Sequence, residues 1–238
     1  MKKIVVTGGS GRFGEILKKY NTKHKIFFPT KKQLDILKPK KIQSYLKKIR
    51  PNILIHLAGL SRPMKIHETN IEQSIDLNII GTANVTKACA RNKIKLIYFS
   101  TNYVYPGVKG DYKENDPLYP SNNYAWSKLG GETSVKLYKN SLILRVCMTE
   151  KPFVHKSAFA NVMTNFIYHD KIPQMLFKLL NKSGVINLGG KKQSIFNFAR
   201  KENKKINKIF LKKKQNIGIP FNSTMNLKKL NSILKKID

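Results

Sequence analysis

The chain has 238 residues, 46 lysines and arginines against 13 aspartates and glutamates, a formal net charge of +33 and 41% hydrophobic residues. That length and apolar content suit one large α/β domain, or a core domain carrying a smaller lobe, and exclude a small disulfide-stapled scaffold. The apolar stretch after Lys2 and Lys3 covers only residues 4–6, and no apolar run approaches a bilayer span, so a soluble cytoplasmic protein without a membrane partner is expected. Two cysteines, Cys89 and Cys147, and five histidines without paired spacing predict neither a disulfide framework nor a metal. The positive charge would suit phosphate neutralisation on a nucleic acid. However, only six basic residues are arginine, the side chain best shaped for reading bases and phosphates. The lysines are therefore read as solvated surface, and nucleic acid is not expected as a partner, although residues 201–214 leave a basic face open.

In chain order, short apolar runs at residues 3–6, 25–28, 52–57, 95–99 and 142–146 read as buried strands. The intervening stretches 14–20, 39–49, 74–91 and 121–138 are long enough for helical crossovers. The series is therefore βαβ, and the fold class is α/β, a Rossmann-like doubly wound parallel sheet. After residue 146 the alternation becomes irregular: a helix is expected around 158–168, a strand at 184–188, then a basic tail. This predicts a dinucleotide-binding domain over 1–146 and a small substrate-binding lobe over 147–238.

The first strand runs directly into Thr7-Gly8-Gly9-Ser10-Gly11-Arg12-Phe13-Gly14, and a helix follows. Glycines there permit a tight turn and let backbone N–H groups approach a pyrophosphate at a helix N-terminus, where the dipole favours negative charge. A glycine triplet alone could be a plain turn, but the strand–turn–helix context at the start of a βαβ series points to dinucleotide binding. An acidic residue after the second strand would hold the ribose hydroxyls of NAD, and none stands there. Lys31 and Lys32 do, with Arg12 nearby, and these would welcome the 2′-phosphate of NADP.

Farther on, Tyr124-Ala125-Trp126-Ser127-Lys128 places a tyrosine and a lysine on one helix face, where an ammonium can lower the phenol's pKa and make it a proton donor near neutrality. Upstream, Ser100-Thr101 puts a hydroxyl pair at the carboxyl edge of the sheet, where ligands bind in such folds. Taken together and in this order, residues 7–14, 100–101 and 124–128 resemble the extended short-chain dehydrogenase/reductases. Gln33-Leu34-Asp35-Ile36, Arg50-Pro51-Asn52-Ile53-Leu54-Ile55-His56-Leu57-Ala58-Gly59, residues 112–124 and Lys128-Leu129-Gly130-Gly131-Glu132 are similar to the sugar-nucleotide branch of that family, the dTDP-4-dehydrorhamnose reductases. Beyond residue 146 the likeness thins to residues 184–190 and 220–226.

The resemblance implies Tyr124 as general acid, Lys128 as the residue that tunes Tyr124 and holds the nicotinamide ribose, and Thr101 as a hydrogen-bond partner of the substrate oxygen. It implies a cofactor site of Gly8, Ser10, Gly11, Arg12, Phe13, Gly14, Lys31, Asp35, Ile36, Leu57, Ala58, Gly59 and Ser100 together with Tyr124 and Lys128. Asp35 and Ile36 would line the adenine pocket, and Asn78 would help fix the site. Arg62, Asn102, Tyr103 and Asn222 are the candidate substrate contacts. Asp35 as a helix cap, Asn78 as a satisfied buried amide and Tyr103 as a core aromatic are the plainer readings of those residues. The chain is shorter than is usual in this family, mainly in the substrate lobe, and Ala125 replaces a frequent glycine.

Three catalytic subclasses share the fold. A dehydratase would follow its threonine with Asp-Glu, whereas Asn102 and Tyr103 stand here. An epimerase would hold NAD through the missing carboxylate. The expected activity is therefore NADPH-dependent reduction of a 4-keto-6-deoxy sugar nucleotide, with that nucleotide sugar as small-molecule partner and a homodimer compatible with the sequence. A non-catalytic dinucleotide-binding regulatory subunit is the alternative from another class; the intact Thr101, Tyr124 and Lys128 argue against it.

Overall fold

A computed structural model describes residues 1–212 and 218–236. Lys213 and Lys214, at the end of the expected basic face, and residues 237–238 of the expected lobe lie outside the described residues. The chain divides into two compact units. The first comprises residues 1–100, 126–144 and 179–185, and the second residues 101–125, 145–178 and 186 onward.

The first half alternates strand and helix: β1 (Lys3–Thr7), α1 (Arg12–Lys19), β2 (Lys25–Phe27), α2 (Pro39–Ile49), β3 (Ile53–His56), short helices α3 (Ile66–Thr69) and α4 (Ile71–Ile75), a π-helical turn (Asp76–Ile80), α5 (Gly81–Arg91), β4 (Lys95–Thr101), α6 (Asn123–Lys136) and β5 (Ser141–Val146). Ile4, Val5 and Val6 are fully buried, as both faces of a helix-covered parallel sheet require. α2 has Pro39 in its first turn, where the missing N–H costs nothing, and buries Ile42 and Leu46, four apart on one face. These side chains join Val5, Leu54, Leu96 and Ile143 in the core of the first unit.

The remainder adds β6 (Met148–Thr149), β7 (Ser157–Phe159), β8 (Met163–Thr164), β9 (Ile167–Tyr168), α7 (Ile172–Leu179), β10 (Gly184–Leu188), β11 (Gln193–Ser194), α8 (Ile195–Ala199), β12 (Asn207–Ile209) and α9 (Lys228–Lys235). The six-stranded sheet has the order β10-β5-β4-β3-β1-β2. β1 pairs in parallel with both β2 and β3, so the winding reverses at β1 and the carboxyl ends of β1 and β3 open side by side, at Thr7 and His56. This is the switch point at which doubly wound sheets take ligands. The expected α/β doubly wound fold is what forms.

The helix expected around residues 158–168 does not form; β7, β8 and β9 occupy that stretch. Its asparagines satisfy distant backbone instead of their own turn: Asn161 donates to the Leu211 carbonyl and accepts the Leu211 N–H, both at 2.9 Å, and Asn165 donates to the Gly190 carbonyl at 3.0 Å. Such side-chain bonding competes with helix, and the interspersed Phe159, Val162, Phe166 and Ile167 favour extended chain. Ala158 and Val162 instead pack with Ile195, Ala199, Ile206 and Leu211 in a small core of the second unit. Among the described residues no helix is long and apolar enough to cross a membrane.

Candidate active site

The turn between β1 and α1 is built on close backbone approach. Gly8 has φ +72, and a Cβ there would lie 2.5 Å from the Ala58 nitrogen. A Cβ at Gly14 would come within 2.6 Å of the Gly8 and Gly9 carbonyl oxygens. The Gly11 N–H closes the turn on the Gly8 carbonyl at 3.0 Å, and Gly11 begins α1 without any side-chain cap, leaving first-turn amides for an outside acceptor. Ser10, Gly11 and Arg12 are exposed, whereas Phe13 is buried against Phe99 with ring centroids 5.2 Å apart. A cradle that any side chain would fill, at the N-terminus of a helix that buries Phe13, Gly14 and Leu17, fits the pyrophosphate of a dinucleotide.

The carboxyl end of β3 is fixed by a buried imidazole. His56 Nδ1 lies 2.7 Å from Thr7 Oγ1, and Nε2 lies 3.1 Å from Thr82 Oγ1. Thr7 Oγ1 accepts the Ala58 N–H at 3.3 Å, so the ring sets where Leu57 and Ala58 run. Burial, aided by the positive charge of Lys128, pulls the His56 pKa down to about 3, and the ring is neutral. Past it, a Cβ at Gly59 would meet Asn78 Oδ1 at 2.7 Å, and Asn78 clasps Leu60 through both its N–H and its carbonyl.

The other expected cofactor residues of this unit divide in two. Ile36 is buried and fills the space over Gly81, while half-buried Asp35 accepts the Leu37 N–H at 3.0 Å. Lys31, Lys32 and Arg62 are exposed, and Arg12 reaches Ser61 Oγ at 3.2 Å, across the loop that follows β3.

α6 begins because Asn122 accepts the Ala125 N–H at 2.8 Å, an N-cap contact. Half-buried Tyr124, Lys128 and buried Glu132 follow at one-turn intervals along it. Lys128 Nζ sits 4.2 Å from the centroid of the Tyr98 ring, and Tyr98 OH donates to the Lys128 carbonyl at 3.0 Å. Burial lowers the Lys128 pKa to about 7, with Glu132 pulling it back up. Ser100, the next residue of β4 but one after Tyr98, donates to Glu132 Oε2 at 2.6 Å.

In the second unit Thr101 is buried, and its Oγ1 accepts the Tyr103 N–H at 3.3 Å, closing the short 3₁₀ turn 102–104. Asn102 is buried and donates to Ser223 Oγ at 2.8 Å; Tyr103 is half-buried. Asn222 accepts from Thr224 Oγ1 at 2.8 Å and donates to the Lys109 carbonyl at 3.2 Å, packed beneath Gly110. Both asparagines thus hold loop to loop in this unit. Among the described residues, no group of three or more His, Cys, Asp or Glu side chains could hold a metal ion.

Sequence reasoning passed over His56 and Glu132 as functional residues. Extending the four-residue interval from Tyr124 through Lys128 would have reached Glu132. For His56, the signal was a polar residue closing an apolar strand at the switch point.

Residues 1–175 match the RmlD substrate binding domain family. dTDP-4-dehydrorhamnose reductase of Aggregatibacter actinomycetemcomitans is 29% identical over 154 residues, 63% of this chain and 52% of that protein. Methionine adenosyltransferase 2 subunit beta of Xenopus tropicalis is 30% identical over 156 residues, 61% of this chain and 46% of that protein. The chain therefore spans about half the length of the curated relatives it matches. The crystal structure of dTDP-4-dehydrorhamnose reductase from Bacillus anthracis in complex with NADP aligns with a TM-score of 0.86 at 25% identity, covering 97% of this chain and 92% of that one. With its strand–turn–helix opening and five of the six strands of its central sheet lying within a match that takes in well over half of its length, the chain belongs to the RmlD substrate binding domain family.

Proposed function

We propose that the protein is an NADPH-dependent reductase of a nucleotide-linked 4-keto-6-deoxy sugar. The observation that carries this reading is the α6 constellation: a tyrosine one turn before a lysine whose ammonium is held 4.2 Å from the centroid of the Tyr98 ring. A lysine serving only as solvated surface would not be drawn under a tyrosine ring.

On this reading the amides of residues 8–14 hold the pyrophosphate, Asp35 and Ile36 flank the adenine, Lys31 and Arg12 meet a 2′-phosphate, and Leu57, Ala58, Gly59 and Ser100 form the wall beside the nicotinamide half. The dinucleotide, when bound, supplies the hydride. Lys128 donates to the ribose hydroxyls, and its positive charge lowers the pKa of the Tyr124 phenol, making it a stronger proton donor to the alkoxide that forms. Tyr124 gives its proton to the carbonyl oxygen, which becomes the product hydroxyl. The Thr101 hydroxyl donates to that same oxygen and steadies its growing negative charge. Arg62 and Tyr103 contact the nucleotide sugar, with Asn102 and Asn222 shaping the loops around it. Residues 1–146 are the dinucleotide and catalytic portion, and residues 147–238 the substrate portion.

The similarity to methionine adenosyltransferase 2 subunit beta favours a second reading, a dinucleotide-binding subunit that regulates another protein. Following NADPH oxidation with dTDP-4-dehydrorhamnose and related 4-keto sugar nucleotides separates the two. Turnover that disappears in Tyr124→Phe supports the reductase. Tight NADPH binding with no oxidation across such a panel supports the subunit instead.

A further inference from the structure

We infer that Glu132, anchored by Ser100, is the counter-charge that keeps Lys128 an ammonium, and so is a positioning residue that acts through Lys128. This rests on the reductase reading for its consequence, but not for its measurement.

Glu132 is 2% exposed and Ser100 6%. A carboxylate is costly to bury unless it is both hydrogen-bonded and paired with opposite charge. The Ser100 hydroxyl supplies the bond, donating to Glu132 Oε2 at 2.6 Å. Lys128, one turn earlier on the same face of α6, supplies the opposite charge. In a protein with 13 acidic residues against 46 basic ones, a carboxylate sealed inside the fold marks a place where negative charge is needed.

The groups around Lys128 show why. From β3 the neutral His56, bonded to Thr7 and Thr82, lies within reach of its charge; from β4 it faces the Tyr98 ring, whose π face attracts a cation without neutralising it; on α6 itself it has Tyr124 before it and Glu132 after it. Burial alone drives a lysine toward the neutral amine. Of these neighbours, Glu132 carries the full negative charge that opposes that drift. A neutral Lys128 could neither favour a Tyr124 phenolate nor offer three donors to a ribose.

The experiment is a direct titration of Lys128, followed by the ¹³Cε resonance of labelled lysine and assigned through its loss in Lys128→Arg. Glu132→Gln keeps the size and still accepts from Ser100, yet removes the charge. It should lower the Lys128 midpoint by about one pH unit or more, a tenfold loss of ammonium above the midpoint. Glu132→Asp keeps the charge and should leave the midpoint within a few tenths of wild type. An unchanged midpoint in Glu132→Gln, or an equal fall in both variants, would overturn the inference. If the glutamine variant does not fold, a fall of one unit in Glu132→Asp overturns it by itself, and a midpoint within a few tenths supports it. The titration needs neither cofactor nor substrate, so a missing reductase activity defeats the functional reading without touching this one. Where activity is present, the alkaline limb of kcat/KM moves down with the Lys128 midpoint in Glu132→Gln.

Discussion

Asn78 ties Leu60 to Ser127: its Oδ1 accepts the Leu60 N–H at 2.7 Å, while its Nδ2 donates to the Leu60 carbonyl at 2.9 Å and to Ser127 Oγ at 2.8 Å. It lies in the π-helical turn Asp76–Ile80, and such a widened turn re-aims one side chain out of the ordinary helical register. One amide therefore fixes the loop after β3 to the helix that bears Tyr124 and Lys128.

That arrangement predicts the cost of removing it. Asn78→Ala leaves the Leu60 N–H and carbonyl without their partner, and each buried unsatisfied group costs about 1–3 kcal/mol. Urea unfolding should show a loss of at least about 2 kcal/mol at unchanged m-value, and Asn78→Asp, which keeps one acceptor but turns a buried carboxylate oxygen toward the Leu60 carbonyl, a loss at least as large. Wild-type stability in both variants would mean that the loop is held by other contacts.

On the reductase reading, Tyr124→Phe should remove most turnover and leave NADPH affinity nearly intact, since it deletes only the proposed proton donor and general acid catalysis supplies about 10²–10⁴-fold. Lys128→Met should impair both turnover and binding. Near-normal rates for Tyr124→Phe on an accepted substrate would assign the proton to another group.

The proposed use of NADPH predicts a preference set by charge at the end of β2. No carboxylate stands there to hold a free 2′-hydroxyl, and Lys31, Lys32 and Arg12 are exposed. A charge-assisted contact to the 2′-phosphate contributes about 1.5–3 kcal/mol, so NADPH should bind about tenfold or more tightly than NADH. Fluorescence titration of both cofactors measures the ratio, and Lys31→Ala combined with Arg12→Ala should bring it toward one. Equal affinities in wild type would show that the lysines are solvated bystanders.

How far these features could be read from the residues alone depended on how local their causes are. The strands at residues 3–6 and 142–146, the helix at 39–49 and the glycine turn depend on short apolar runs, a first-turn proline and close backbone approach, all visible in sequence order. The Tyr124–Lys128 pair was legible for the same reason, being one turn of one helix. The stretch 158–168 was misread because its conformation is dictated by Leu211 and Gly190, far along the chain, to which Asn161 and Asn165 bond. His56 and Glu132 were passed over because their partners, Thr7, Thr82 and Ser100, stand 26 to 49 residues away and meet them only when the sheet assembles.

His56 also sets a pH dependence. Its pKa is about 3 in the fold against an ordinary 6.5, so between those values the unfolded chain binds a proton that the native protein does not. Stability therefore rises with pH across this window: the contribution is complete above about pH 6.5 and is lost as pH falls toward 3, at up to about 1.4 kcal/mol per pH unit. Between pH 7 and pH 4.5 the loss from this one residue amounts to about 2–3 kcal/mol. His56→Asn retains a side chain able to bond Thr7 or Thr82 but cannot take up the proton. The variant should be less stable than wild type at pH 7, and the difference should shrink steadily on acidification as the wild-type advantage disappears. Chemical denaturation of both proteins at half-unit intervals from pH 7 to pH 4.5 provides the comparison. Carboxylates that titrate in the same range act equally on both proteins and cancel in the difference. Parallel stability curves would mean that His56 binds its proton as readily in the fold as out of it, and that the neutral ring holding Thr7, Ala58 and Thr82 in place is not the resting state.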